Sequence, residues 1–343
     1  MLLIKRTIFL CMLGACWVLS ITPASADAPQ VATDIPPVHS LVSQVMGDLG
    51  TPKLILPPGA SPHGYAMRPS EARALQDADV IFWMGPDLTP WLGRAIKTLT
   101  GDAIHIALSK NKDLVRHPFR AGATFDSHDH DDHGDKHEEA SKDEHKHDHD
   151  DHGDKHEEVS KDEHKHDHGD KHEGLDPHLW LDPDNAQIFL DVISTTLAGL
   201  DPIHANTYRA NAAQAKKAID ALTLELHAVL QPIRGRAFVV FHDAYQYFEH
   251  RFDIEASGSL SIGDASSPGP ARIATIRQKV QTLGAHCVFS EPQFRSAIIT
   301  TVIEGTSARP AALDPIGATL SPGPGLYTQL LHNLAHDLLT CLR

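Results

Sequence analysis

Residues 202–230 read PIHANTYRANAAQAKKAIDALTLELHAVL. The run has no glycine and no proline after Pro202, alanine is abundant, and apolar residues recur at spacings of three and four, the period of an amphipathic helix. Asp201-Pro202 supplies its cap and first turn. At about 1.5 Å per residue such a helix is a rod of roughly 43 Å, long enough to span two domains.

Short apolar runs alternate with helical segments on both sides of the rod. Ahead of it, Leu54-Ile55-Leu56 is stopped by Pro57-Pro58-Gly59, residues 70–77 are helical in composition, and residues 80–84 form an apolar run stopped by Gly85-Pro86. Residues 90–99 and 183–200 read as helices, with another apolar run at 103–108. Behind the rod, strands are expected at 237–241 and 286–290, helices at 244–252, 271–283, 296–306 and 326–342, and a short run at Ala311-Ala312-Leu313. Strands alternating with helices predict parallel sheets with helices on their faces. The expected fold is therefore α/β: two similar lobes with parallel-sheet cores, residues 27–201 and 232–343, joined by a single long rigid helix over 202–231.

Residues 126–174 break the pattern. A nineteen-residue unit at 129–147 recurs at 148–166 with one difference, Ala140 against Val159, and a truncated third copy follows. Residues 126–173 hold twenty acidic side chains against seven lysines, a balance of −13 that accounts for most of the formal net charge of −15. So few apolar residues cannot offset the entropy of ordering, and a disordered insertion in the N-terminal lobe is expected. Acidity alone would mean only a solvated segment. Histidine adds nothing to solubility, however, and thirteen of the chain's 25 lie here: His128, His130, His133, His137, His145, His147, His149, His152, His156, His164, His166, His168 and His172. Imidazole is a common ligand for zinc, copper and nickel, so auxiliary metal binding is expected. Its sites should be weak, because each ion must order the chain it binds.

Lys5 and Arg6, an apolar run from Thr7 to about Ile21, and Ala24-Ser25-Ala26 form an export signal with cleavage expected near Ala26. Leu13-Gly14-Ala15-Cys16 resembles a lipid-attachment box, but the apolar run continues through Trp17, Val18 and Leu19, so cleavage rather than lipidation is expected. No other stretch reaches the roughly 18 apolar residues of a membrane span. Export leaves Cys287 and Cys341 in an oxidising compartment, where two lone cysteines most simply pair; the alternative is Cys287 as a metal ligand beside His286. No basic patch with interleaved aromatics is present, so nucleic acid is not an expected partner.

Three histidines outside the insertion lie where parallel-sheet proteins place ligands, beyond the ends of apolar runs. His63 lies in the loop Gly59-Ala60-Ser61-Pro62-His63-Gly64-Tyr65, His178 in Asp176-Pro177-His178-Leu179-Trp180-Leu181-Asp182, and His242 directly after the strand at 237–241. A single loop histidine is more often an exposed residue without a role. Together they supply three nitrogen ligands for a borderline metal, with Asp314 or water in the fourth position, and four-coordinate zinc is the natural occupant.

Ser61-Pro62-His63-Gly64-Tyr65, Asp176-Pro177-His178-Leu179-Trp180, Phe241-His242-Asp243-Ala244-Tyr245, Phe289-Ser290-Glu291-Pro292 and Leu313-Asp314-Pro315-Ile316-Gly317 occur in that order. In these motifs the chain resembles the metal-specific solute-binding proteins of bacterial ABC importers, in particular the periplasmic zinc-binding component of high-affinity zinc uptake. The resemblance runs from about Val31 to the C-terminus. It implies a metal held between two lobes by His63, His178 and His242, with Asp314 or water completing the site. It also implies a periplasmic location, and as partners a membrane permease with a cytoplasmic ATPase. Manganese and iron relatives often carry a carboxylate at the third position, so histidine at 242 favours zinc. The family's acidic loop before the second ligand and its disulfide match the insertion and a Cys287–Cys341 bridge. Some zinc-binding relatives have glutamate before the first histidine; here that residue is Pro62. Glu291 is a candidate for supporting a ligand or for an ordinary ion pair.

The expected function is thus a monomeric Zn2+ receptor feeding an ABC permease, not an enzyme. The alternatives are a periplasmic zinc buffer or metallochaperone, a receptor for manganese or another divalent metal, and a zinc hydrolase. The last lacks any His-Glu-x-x-His motif.

Overall fold

The computed structural model describes residues 28–120, 124–125, 174–261, 268–294 and 297–343. The expected leader at 1–26, and the histidine-rich insertion with its thirteen histidines, lie outside the described residues.

The described residues build two four-stranded parallel sheets. The first contains β1 (Val31–Thr33), β2 (Lys53–Leu54), β3 (Val80–Trp83) and β4 (Ile104–Ala107), in the order β2-β1-β3-β4. The second contains β5 (Phe238–His242), β6 (Ser259–Ser261), β7 (Cys287–Ser290) and β8 (Arg309–Ala312), in the order β6-β5-β7-β8. Numbered within each lobe, both orders are 2-1-3-4, so the lobes repeat one topology.

The central strand β3 is apolar at every position, and β5 is apolar up to its terminal His242, because both faces of each sheet are covered. Val80 and Phe82 point into one core, while Ile81 and Trp83 point into another with Leu75, Leu92 and Ile96. These last come from α2 (Pro69–Gln76) and α3 (Pro90–Leu99), which cover the outer face. The second sheet alternates likewise. Phe238 and Val240 face inward, and Val239 and Phe241 face Ile276 and Val280 of α7 (Pro270–Leu283) and Ile299 and Val302 of α8 (Ala297–Ile303).

The inward faces share one continuous core with α1 (Pro36–Met46), α4 (Pro183–Leu200), α5 (Ala205–Leu230) and α9 (Leu326–Leu342). Helix α5 is the rod. It begins three residues later than the sequence pattern suggests, because the Asp201 carboxylate accepts from the His204 backbone N–H at 3.3 Å and the Tyr208 hydroxyl at 2.9 Å, holding 201–204 as a turn. Its 26 residues span roughly 39 Å at the usual helical rise. Tyr208, Ala212, Ala215, Ile219, Leu222, Leu226 and Leu230 form its buried stripe, while Leu224 on the opposite side is exposed. Truncating one of these leucines to alanine should cost roughly 2–5 kcal/mol. A disulfide joins Cys287 in β7 to Cys341 in α9, with 6.2 Å between their Cα atoms, and fastens the last helix to the second sheet. Among the described residues no helix is long and apolar enough to cross a membrane.

Candidate metal centre

His242 is the last residue of β5, one position earlier than a loop following the strand, and Glu291 follows the end of β7. These strands are neighbours, with β6 flanking one and β8 the other. The chain therefore leaves them in opposite directions, opening the crevice where α/β sheets bind ligands.

His178 arrives from the first lobe. It precedes a 3-10 turn at Leu179–Leu181, after which Asp182 caps α4 by accepting the Asp184 backbone N–H at 3.0 Å, with Pro183 in the first turn. The turn is welded to the second lobe. Trp180 Nε1 donates to the Pro315 carbonyl at 2.8 Å, and the Tyr327 hydroxyl donates to the Trp180 carbonyl at 2.9 Å. His63 comes from the loop between β2 and α2. That loop is pinned where Trp91 Nε1 donates to the Pro62 carbonyl at 2.8 Å and the Tyr65 hydroxyl donates to Glu71 at 2.8 Å.

The three imidazoles converge, with one ligating nitrogen from each lying within 4.8 Å of the others. The Nε2 atoms of His178 and His242 are 3.3 Å apart. Tetrahedral zinc with Zn–N bonds of ~2.0–2.1 Å places its nitrogens ~3.3–3.4 Å apart, so this pair already stands at ligand spacing. Trp180, Phe294, Pro315 and Ile316 line the small cleft with the histidines. His178 and His242 are both 3% exposed, so an ion here loses most of its water and the site must supply the coordination.

Each buried histidine carries its own carboxylate. His242 Nδ1 lies 2.6 Å from Glu291 Oε1, and His178 Nδ1 lies 2.6 Å from Asp176 Oδ1. When the acids are ionised they only accept, so the Nδ1 atoms carry protons and both Nε2 atoms face the cleft. Burial pushes the Asp176 carboxyl up to about 7, against the pull of the His178 backbone N–H and the Arg120 charge. Burial acts to lower the His242 value, but the adjacent Glu291 charge and hydrogen bond prevail and raise it above the ordinary range. A proton between the two Nε2 atoms and a cation bound by them would therefore compete for the same place.

Asp314 is placed differently from the first three residues. Its Oδ1 accepts from the backbone N–H groups of Ile316 (3.3 Å) and Gly317 (2.9 Å), and its Oδ2 from that of Thr319 (3.1 Å) and the Thr319 hydroxyl (3.3 Å). Its carboxylate holds the turn that carries Pro315 and Ile316 to the cleft, and it is not among the groups that converge with the histidines. Glu291 is the partner of His242, with its Oε2 buried and unbonded. The role of Asp176 was not read from the sequence, although an aspartate two residues before a candidate ligand was the available signal. The paired cysteines leave Cys287 no role as a ligand.

The family described as Zinc-uptake complex component A periplasmic matches residues 31–341. The high-affinity zinc uptake system protein ZnuA of Paracoccus denitrificans is 47% identical over 321 residues, 93% of this chain and 94% of that protein. The protein of the same name from Brucella abortus is 46% identical over 312 residues, 91% of each chain. Among solved structures, a crystal structure of ZnuA superposes with a TM-score of 0.70 at 21% identity, covering 92% of this chain and all of that one, and places the fold in the same class.

Proposed function

Since the chain belongs to the family of periplasmic A components of zinc-uptake complexes, we propose that it captures one Zn2+ between its lobes through His63, His178 and His242 and surrenders it to an ABC permease driven by a cytoplasmic ATPase. A water molecule takes the fourth position, because the Asp314 carboxylate is committed to its own turn. The observation that carries this reading is the pair of Nε2 atoms at 3.3 Å, each on a ring held from behind by a carboxylate. Such outer partners fix the tautomer and make the imidazole a better ligand.

The mature receptor begins near Asp27 and acts as a monomer, with residues 27–201 and 232–343 as its lobes and 202–231 as the bridge. A shared core along the bridge supports small rearrangements on loading rather than wide closure. The insertion is an auxiliary collector. A three-histidine, one-water site would resemble a catalytic zinc, but the family is one of zinc-uptake components, and the reading as a receptor rather than an enzyme follows from that membership.

The test is zinc affinity by competition with a chelator in single alanine variants. Loss by orders of magnitude is expected for His63→Ala, His178→Ala and His242→Ala, and undiminished tight binding by His242→Ala would sink the assignment. Growth under zinc starvation separates receptor from buffer: a strain lacking the protein should fail without added zinc and recover with it.

A further inference from the structure

Pro118 and Leu175 form an antiparallel bridge, Phe119 N–H donates to the Gly174 carbonyl at 3.2 Å, and Asp176 N–H donates to the His117 carbonyl at 2.9 Å. Residues 117–119 therefore run beside the segment that presents Asp176 and His178. From the end of this strand Arg120 reaches into the second lobe. Its Nε lies 3.0 Å from both Asp243 oxygens, its Nη2 also contacts Asp243, and the guanidinium contacts Glu249 at 2.6 and 3.1 Å. Asp243 directly follows His242, and Glu249 lies in α6 (Gln246–Phe252). The side chains of Arg120, Asp243 and Glu249 are 14%, 8% and 3% exposed, and the Phe125 ring stacks 3.9 Å from the guanidinium. One cation thus joins the strand behind one ligand to the residue after another, away from water that would screen it.

We propose that Arg120 is a positioning residue that governs metal release, a latch that must let go of Asp243 before the segments bearing His178 and His242 separate. This rests on the three-histidine reading above. The guanidinium touches no ligand, so its effect lies in the dissociation rate and not in the composition of the site. A planar fork engaging two carboxylates at once is also a task that lysine performs incompletely.

The test is stopped-flow transfer of zinc from the full mature chain to excess chelator, with the phase belonging to the cleft defined as the one missing in His242→Ala. In Arg120→Ala that phase should accelerate at least tenfold, Arg120→Lys should recover part of the loss, and adding Asp243→Asn to Arg120→Ala should change it little further. Melting temperatures are measured alongside, with Leu222→Ala in the shared core as a control that lowers stability without touching the latch. If Arg120→Ala fails to fold, Arg120→Lys and Asp243→Asn carry the test, each with a release rate above that of the native chain. An unchanged release rate in folded latch variants, with a melting temperature lowered as in Leu222→Ala, would reduce Arg120 to a structural ion pair. If the native chain itself has no phase that His242→Ala removes, it is the three-histidine reading that fails.

Discussion

Replacing Glu291 with glutamine tests whether the carboxylate behind His242 does more than fill space. Glu291 is 2% exposed and its Oε1 lies 2.6 Å from His242 Nδ1. A hydrogen bond to a charged group is worth roughly 1.5–3 kcal/mol, and glutamine keeps an acceptor while removing the charge. About 1.4–2.7 kcal/mol should be lost, equivalent to zinc binding ~10–100-fold weaker well above neutrality. The ratio should depend on pH. Glu291 raises the proton affinity of His242, so in the native site zinc must displace a proton as the pH falls through that raised value. In Glu291→Gln the His242 value drops, the proton competes less, and the acid-side loss of zinc begins at lower pH. The two affinities should therefore converge on acidification. Chelator competition between pH 8 and about 5, with circular dichroism to verify folding, reads both effects. A ratio below about threefold that does not vary with pH would refute the reasoning.

Other outcomes follow from the same geometry. Asp314→Asn should leave zinc affinity within about threefold while lowering the melting temperature, because Asp314 secures a turn and the lost capping bonds are worth ~1 kcal/mol each; a hundredfold loss of affinity would make Asp314 a ligand. The Cys287→Ser/Cys341→Ser pair should lose about 4 kcal/mol of stability, since the bridge closes a loop of 54 residues, with little change in zinc affinity; urea unfolding with and without zinc checks this. Acidification below the raised His242 value should release zinc from the native site, as equilibrium dialysis across the same pH range would register.

Much of this molecule is legible in its sequence because the decisive features are local. The glycine-free run at 202–230 encodes the rod, and the uniformly apolar runs at 80–84 and 237–241 encode strands buried on both faces. Helix α1 is less conspicuous: its Pro36-Pro37 start and the spacing of Val38, Leu41, Val42 and Val45 are helical signals, but they follow a three-residue strand too short to set a pattern. Strand β6, Ser-Leu-Ser at a sheet edge, is too short to set a pattern and is held by pairing with β5, by Arg272 donating to the Ser259 and Leu260 carbonyls, and by the burial of Leu260. The three histidines proposed as ligands stand out because each sits in a loop or at a strand end shaped by proline, glycine or apolar neighbours. What supports them does not stand out. The partnership of Glu291 with His242 spans 49 residues, and that of Arg120 with Asp243 spans 123, so neither leaves a spacing to recognise. Asp314 differs, since its backbone N–H partners lie only two, three and five residues on; what the sequence does not announce is that its turn closes around the carboxylate.

The most direct test of the central claim is calorimetric zinc titration of residues 27–343 beside a version lacking 128–172, which removes the thirteen insertion histidines. One tight site in both proteins, with additional weaker sites only in the full chain, is the predicted result and places transport at His63, His178 and His242. Loss of all tight binding with the insertion would contradict it, making the histidine run the principal ligand and the protein a buffer.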